Sequence, residues 1–301
     1  MKKKYIIGID VGGTNVKLGV IDPSGIIVDR SRLQTKSFIR NKDRLITAIM
    51  GAYQELISRQ KFRGQDILGI GIGLPGLVDP TKGVVKYLPN IPGWRNVPLV
   101  DIVKGNTKRP VFIDNDVNLI TLAEWKYGAG RNYKNLVCIT LGTGVGGGLI
   151  LDNRIYRGEG FMAGEIGHVP YRDKTLELYI GNTYLQARAA KVFKDNQVRL
   201  EDIFQLASQG DERAIGFWEE MGEHIGAVMA GVVNVLNPRL IVIGGGVSNN
   251  YKFFAPSLKR TIKIKAMKIP ARMVRVVRAR LGDDAGIKGA AILVKESNVE
   301  N

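Results

Sequence analysis

One pattern occurs twice in the chain and constrains its fold more than any other feature. Ile6 to Asp22 reads IIGIDVGGTNVKLGVID and Leu136 to Asp152 reads LVCITLGTGVGGGLILD. Each is an apolar strand, a turn rich in glycine and threonine, and a second strand of small and apolar residues. Each therefore predicts a β-hairpin with a glycine-rich tip. Two such hairpins, opening two halves of one chain, predict duplicated domains that face each other.

Between the hairpins, strand and helix patterns alternate. Arg44 to Arg59 carries apolar residues at helical spacing, and Ile67 to Ile72 and Val111 to Ile113 read as short buried strands. Asn118 to Tyr127 reads as a helix that starts after an Asp-rich turn. In the second half, Arg213 to Leu236 reads as a long helix stopped by Asn237-Pro238. Leu240 to Ile243 is a strand before Gly244-Gly245-Gly246, and Ala285 to Lys295 is a small-residue helix. This alternation predicts the α/β class. The expected division gives an N-terminal lobe of 1–117, completed by the C-terminal helix 285–301, and a C-terminal lobe of 118–284.

The hairpin tips carry the chemistry. Asp10, Gly12, Gly13 and Thr14 form the first. Glycines there let backbone N–H groups approach phosphate oxygens, and Thr14 adds a hydroxyl. Asp10, at the strand end, suits hydrated magnesium, which binds through few carboxylates and several waters. An ordinary Gly-rich turn would look the same in isolation. The second tip runs from Gly142 through Thr143 and Gly144 to Gly148. It contains Gly-x-Gly-x-x-Gly, as does Gly71 to Gly76. In dinucleotide-binding folds that motif opens a helix. Here strand-like residues follow both copies, which excludes NAD and FAD. No Gly-x-x-x-x-Gly-Lys-Ser/Thr occurs, which excludes a P-loop ATPase. Gly244, Gly245 and Gly246 offer a flat surface for adenine or ribose. Three loops in the order phosphate, phosphate, adenosine point to ATP.

Composition narrows the classes further. There is one cysteine, Cys138, and there are two histidines, so an internal disulfide and a zinc site made mainly of Cys and His are both excluded. Cys138 lies in the apolar run LVCITL and reads as a buried small hydrophobe. The formal net charge of +16 would suit an anionic partner. The basic residues are scattered, however, and no recognition motif accompanies them, so no nucleic-acid partner is expected. No apolar run is long enough to span a bilayer, so no membrane partner is expected either. The MKKK start is followed by an apolar stretch that Asp10 interrupts, with no cleavage site after it. It reads as a first strand, and the protein as cytoplasmic.

Eight segments, in order, carry a resemblance: IGIDVGGTNVKLGV, GIGLPGLVD, LPNIPGW, FIDNDVN, LGTGVGGGLI, GEIGH, NPRLIVIGGGVS and DDAGIKGAA. Together, over Ile7 to Ala291, they resemble the ROK sugar kinases of the actin-like ATPase superfamily. The resemblance implies a two-lobed actin-like, ribonuclease H-like fold with a central cleft. It implies phosphorylation of a hexose by ATP with Mg2+, glucose first, and a homodimer. N-acetylglucosamine, N-acetylmannosamine, mannose and fructose stay open as acceptors.

The implied catalytic base is Asp116. Phosphoryl transfer to an alcohol needs a group that orients the hydroxyl and accepts its proton. On local chemistry alone, Asp114 and Asp116 could equally cap the helix from Asn118 onward. Asp114 is assigned to the turn. Asn115 can hydrogen-bond a sugar hydroxyl. The resemblance adds Gly76, Asn90, Glu165, His168 and Glu177 as sugar contacts, and Asn15 beside the first phosphate loop. One departure stands out. The family usually follows GEIGH with a cysteine-rich loop that binds structural zinc. Here VPYRDKTLE follows, without cysteine, so no zinc is expected. The assignment of Glu177 rests on the surviving Leu-Glu pair. Two other classes compete with the kinase. A sugar-sensing repressor would carry a winged-helix domain before the first loop, and the first strand begins too close to Met1 for one. A sugar-binding protein without catalysis would have no need of Asp10, Asp116 and both phosphate loops.

Overall fold

The computed structural model describes residues 4–35, 38, 41–88 and 92–297. The first part of the chain forms β1 (Tyr5–Val11), β2 (Asn15–Ile21), β3 (Ile27–Gln34), α1 (Lys42–Arg59), β4 (Ile67–Leu74) and β5 (Leu77–Asp79). It continues through β6 (Val84–Tyr87), β7 (Arg95–Val97), α2 (Leu99–Thr107), β8 (Val111–Asn115) and α3 (Asp116–Tyr127). Next come β9 (Leu136–Leu141), β10 (Val145–Leu151), β11 (Arg154–Tyr156), β12 (Pro170–Tyr171) and β13 (Lys174–Thr175). They precede α4 (Glu177–Ile180), α5 (Asn182–Phe193), α6 (Leu200–Ser208) and α7 (Glu212–Leu236). The chain ends with β14 (Leu240–Gly244), α8 (Tyr251–Lys265), α9 (Lys268–Met273), β15 (Arg275–Arg278) and α10 (Ala285–Ser297).

The contacts group these elements into two compact units. Unit 1 takes the chain up to Tyr127, the stretch Arg157–Ala163 and everything from Asp283 on. Its main sheet has the order β3-β2-β1-β4-β8. β1 pairs antiparallel with β2 and parallel with β4, and β4 pairs parallel with β8. Alternation along β1 divides its side chains between two faces. Ile7, Ile9 and Val11 join Leu45, Ile49, Tyr53 and Leu56 of α1 in one core. Ile6 packs on the other face against Ile287, Ala291 and Val294 of α10. α10 lies very close to the sheet. A Cβ on Gly8 would sit 2.4 Å from the Ile287 carbonyl oxygen, and one on Gly71 2.1 Å from that of Ala290. Gly71, the first residue of a Gly-x-Gly-x-x-Gly string, is thus a packing position inside β4. The boundary expected before Asn118 falls inside α3, which is part of unit 1.

Unit 2 takes Gly128–Tyr156 and Gly164–Gly282. Its sheet, β11-β10-β9-β14-β15, repeats the topology of the first. Two antiparallel pairings are followed by two parallel ones. The hairpins noted in the sequence are β1–β2 and β9–β10, at the same place in each sheet. α7 starts at an Asp211 cap, whose carboxylate accepts the Ala214 N–H at 3.0 Å, and ends at Asn237 in the left-handed conformation. It packs on α8 closely enough that a Cβ on Gly222 would meet the Phe254 carbonyl oxygen at 2.2 Å.

Candidate active site

In unit 1 the site is built where β1 turns into β2. The Gly12 N–H donates to the Asn15 carbonyl at 2.9 Å and closes the tip. Thr35, fully buried just past β3, holds it from the side. Its hydroxyl donates to the Gly12 carbonyl at 2.8 Å, and its N–H donates to the Thr14 carbonyl at 3.0 Å. Gly13 and Thr14 remain exposed, with open space where a Gly13 side chain would stand. This is the arrangement that leaves backbone donors accessible to a phosphate.

Asp10 faces α10. A Cβ on Gly286 would lie 2.4 Å from the Asp10 carboxyl carbon, so only glycine admits the aspartate there. Burial raises the Asp10 pKa above the usual carboxylate range. Lys17, its register partner on β2, works against the shift and Asp283 adds to it. Lys17 also pairs with Asp283 at 3.2 Å. Magnesium needs few protein ligands when a nucleotide and waters supply the rest. Asp10, a carboxylate whose charge is costly in the isolated protein, fits that requirement. Among the described residues no group of three or more His, Cys, Asp or Glu side chains could form a cage around a metal.

At the β8–α3 junction the structure brings three expected residues together. The Asn115 amide donates to the Gly76 carbonyl at 3.1 Å, while its Oδ1 accepts the N–H groups of Val117 at 2.9 Å and Asn118 at 3.3 Å. Gly76 has φ +85°, a conformation that favours glycine. The Asp116 carboxylate accepts the Val117 N–H at 2.9 Å. Two expectations need correction here. The helix begins at Asp116 rather than Asn118, and Asn115 caps it. Asp114 is no turn residue. It is 2% exposed and receives both Nε and Nη2 of Arg157, at 2.9 and 2.6 Å, together with the Asn118 amide at 3.0 Å. Strand alternation turns Asp114 inward, where a carboxylate needs a partner. Neither Arg157 nor Thr35 carried a sequence signal, because both act through residues far away in the chain. Asn90 lies outside the described residues.

In unit 2 the tip between β9 and β10 is held by Glu177. One oxygen of its carboxylate accepts the Val145 N–H at 2.7 Å and would sit 2.6 Å from a Cβ on Gly144. The Asn182 N–H donates to the Gly142 carbonyl at 3.2 Å. Gly245, at φ +80°, is pressed against the end of β9, where a Cβ would meet the Leu141 carbonyl oxygen at 2.3 Å. The loop of Gly244, Gly245 and Gly246 therefore adjoins the loop of Gly142, Thr143 and Gly144. Space is open beside Gly142 and Gly246.

The GEIGH segment lies on β10. Gly164 packs on Gly147, and Gly167 packs on Val145 at distances no side chain could occupy. Ile166 is buried between them, while Glu165 and His168 project outward, half exposed and 3.8 Å apart. After His168 the chain makes the β12–β13 hairpin. There Tyr171 shares a 3.2 Å hydrogen bond with Nδ1 of His224, and Tyr179 of α4 packs edge-on against the Tyr171 ring and at a tilt against the imidazole. Tyr171, Tyr179 and His224 were not singled out from the sequence, since only the fold brings hairpin and α7 together.

Comparison with known proteins adds a common origin. The ROK family matches residues 6–297. A glucokinase of Halalkalibacterium halodurans is 33% identical, over 98% of this chain and 96% of that protein. An N-acetyl-D-glucosamine kinase of Salmonella heidelberg is 30% identical, over 95% and 98%. The crystal structure of a ROK family glucokinase from Streptomyces griseus, in complex with glucose and AMPPNP, superposes with a TM-score of 0.82. It is 30% identical and covers 97% of this chain and 99% of that one. The structural neighbours include sugar kinases with the actin-like ATPase fold, and by sequence and structure alike this chain belongs to the ROK family.

Proposed function

We propose that the chain is an ATP-dependent hexose kinase, with glucose as its first acceptor. The observation that carries this reading is the paired topology. Each of two equivalent sheets ends its first hairpin in an accessible glycine tip, one beside Asp10 and the other beside the Gly245 loop. Asp116 begins the helix that follows a strand of the first sheet. The likeness to glucokinases along almost the whole chain supports the substrate class.

The residues divide the work as follows. Gly12, Gly13, Thr14 and Asn15 in unit 1, and Gly142, Thr143 and Gly144 in unit 2, supply donors for the ATP phosphates. Gly244, Gly245 and Gly246 receive the adenosine end. Asn115, held by Gly76 and the first turn of α3, together with Asn90, Glu165 and His168, holds the sugar. Glu177 keeps the second tip in shape and completes the sugar contacts. Asp116 takes the proton of the attacking hydroxyl as its oxygen forms the new bond to the γ-phosphorus, and the bridging bond to ADP breaks. Magnesium, held through water by Asp10, would neutralise phosphate charge. The protein is placed in the cytoplasm as a homodimer that takes no zinc. Among the described residues no helix is long and apolar enough to cross a membrane.

A second acceptor is favoured by one observation, the 30% identity to the N-acetyl-D-glucosamine kinase. ADP release measured over glucose, mannose, fructose, N-acetylglucosamine and N-acetylmannosamine distinguishes the two. The highest kcat/KM is expected for glucose. No sugar-dependent ADP release with any acceptor would refute the kinase.

A further inference from the structure

The basic run from Lys259 to Lys268 has no part in the glycine loops or the sugar contacts. It lies where α8 ends and α9 begins, in unit 2. The same corner gathers exposed apolar side chains. Ile264 in the last turn of α8, Met267 in the turn and Ile269 at the start of α9 are 74%, 66% and 71% exposed. Val235, at the end of α7, is 81% exposed. It belongs to this corner, because its neighbour Asn234 accepts the Met267 N–H at 2.8 Å and α9 packs on both α7 and α8. These four are the most exposed large apolar side chains among the described residues. Single exposed apolar side chains are ordinary, but a cluster of them marks a contact surface.

The charges around the cluster indicate what covers it. Lys263 and Lys265 flank Ile264, and Lys268 and Arg272 lie to either side of Ile269. All four are exposed, and among the described residues none of them has an ion pair. No Asp or Glu occurs in the chain between Glu223 and Asp283. A second copy of this face would set like charge against like, so the partner is anionic. Three of the four cations are lysines, point charges on flexible stems, whereas arginine is the residue that forks onto a carboxylate. Lysine stems can also lie along apolar surface while the ammonium groups stay in water. The apolar side chains stand out at a helix–helix corner. Protruding apolar side chains ringed by lysines suit a fluid anionic surface better than a shaped acidic peptide.

We propose that the α8–α9 corner is a contact surface for a bilayer rich in anionic lipid. Ile264, Met267, Ile269 and Val235 enter the interfacial layer, and the four cations meet the headgroup phosphates. Contact of this kind needs no spanning segment. The proposal does not depend on the kinase reading, because binding is read without ATP or sugar.

The experiment is sedimentation of the full chain with vesicles of phosphatidylcholine alone, and of phosphatidylcholine mixed with phosphatidylglycerol. Binding is expected to the mixed vesicles only, and it should weaken as salt rises. Lys265→Gln with Lys268→Gln should lower the partition coefficient at least tenfold, each cation contributing about fivefold. Ile264→Ser with Ile269→Ser should cause a loss of similar size through the apolar contact. Lys104→Gln with Lys191→Gln makes the same change in net charge at exposed positions elsewhere, and should stay within about threefold of the parent, because salt screens distant charges. Equal losses in the two lysine pairs would make the attraction a property of net charge and overturn the face. Undiminished binding of the isoleucine variant, or no binding of the parent to mixed vesicles, overturns it as well. A parent dimer that the isoleucine variant splits, seen by light scattering, would make the corner a subunit interface. Binding to polyglutamate in place of vesicles would make it a protein-docking surface. Either result overturns the lipid assignment.

Discussion

Neighbouring carboxylates have opposite duties at the β8–α3 junction. Asp116 is proposed as the proton acceptor, while Asp114 is locked to Arg157. Asp116→Asn should lower turnover by roughly two to four orders of magnitude. Glucose affinity by calorimetry should change little, since Asn115, Glu165 and His168 remain. A variant that turns over near the parent rate would remove Asp116 from the chemistry. Asp114 belongs to stability. Arg157→Ala leaves a carboxylate that is 2% exposed without its cation, and should destabilise unit 1 by about 3 kcal/mol in denaturant unfolding. A change within experimental error would mean that the pair contributes nothing net. Asp10 links stability and function with opposite signs. Its pKa is raised by burial in the fold, so the native state binds this proton more readily than the unfolded chain does. The ionised carboxylate is thus a cost at neutral pH that shrinks as pH falls through the raised value. Asp10→Asn should raise the unfolding midpoint at neutral pH, lose that advantage in acid, and lower kcat. A midpoint that drops at neutral pH would contradict this account.

At the scale of elements, the β12–β13 hairpin and α4 after it are tied to α7, with Tyr171 and Tyr179 set against His224. Burial, followed by Arg172, holds the His224 imidazole below its ordinary range, and Glu220 and Glu223 oppose the shift. The native state therefore resists protonating His224. Its contribution is present above the ordinary histidine pKa of about 6.5 and is lost as pH falls below it. His224→Gln should flatten the fall of the unfolding midpoint between about pH 7 and pH 5. Hydrogen exchange in Val169 to Leu176 should track the same change. An unaltered pH profile would show that the imidazole is not the titrating group. Glycines act at this scale as well. Gly147 and Gly167 let the GEIGH segment lie on β10, and Gly8 and Gly71 let α10 lie on β1 and β4.

Across the whole molecule, unit 1 is assembled from both ends of the chain and unit 2 mainly from its middle. Ending the chain at Gly282 would remove α10 and uncover Ile6, Ile21 and the glycine faces of β1 and β4. Several buried aliphatic contacts go at once, more than the few kcal/mol per side chain that a domain tolerates. Exchange protection should then be lost in β1 and β4 and kept in β9 and β14. Retained protection in Ile6–Val11 would mean that the first sheet stands without the helix.

The repeated hairpins, the alternation of strand and helix, and the glycine tips were legible in the sequence because each depends on neighbours in the chain. Periodicity fixes a strand or helix locally, and glycine fixes a tight turn locally. The resemblance carried Asp10, Asp116 and the loop order from those same local motifs. What the chain could not reveal depends on partners distant in sequence. Asp114 reads as a turn former until Arg157, 43 residues away, reaches it. The string at Gly71, excluded as a dinucleotide motif, has no role of its own in the sequence until α10 settles on β4. Thr35 and His224 have no signal of their own, since a threonine after a strand and a histidine in a helix fit many roles. Tertiary structure decides these cases because a buried charge must find its counter-charge, and a close approach of backbones admits only glycine.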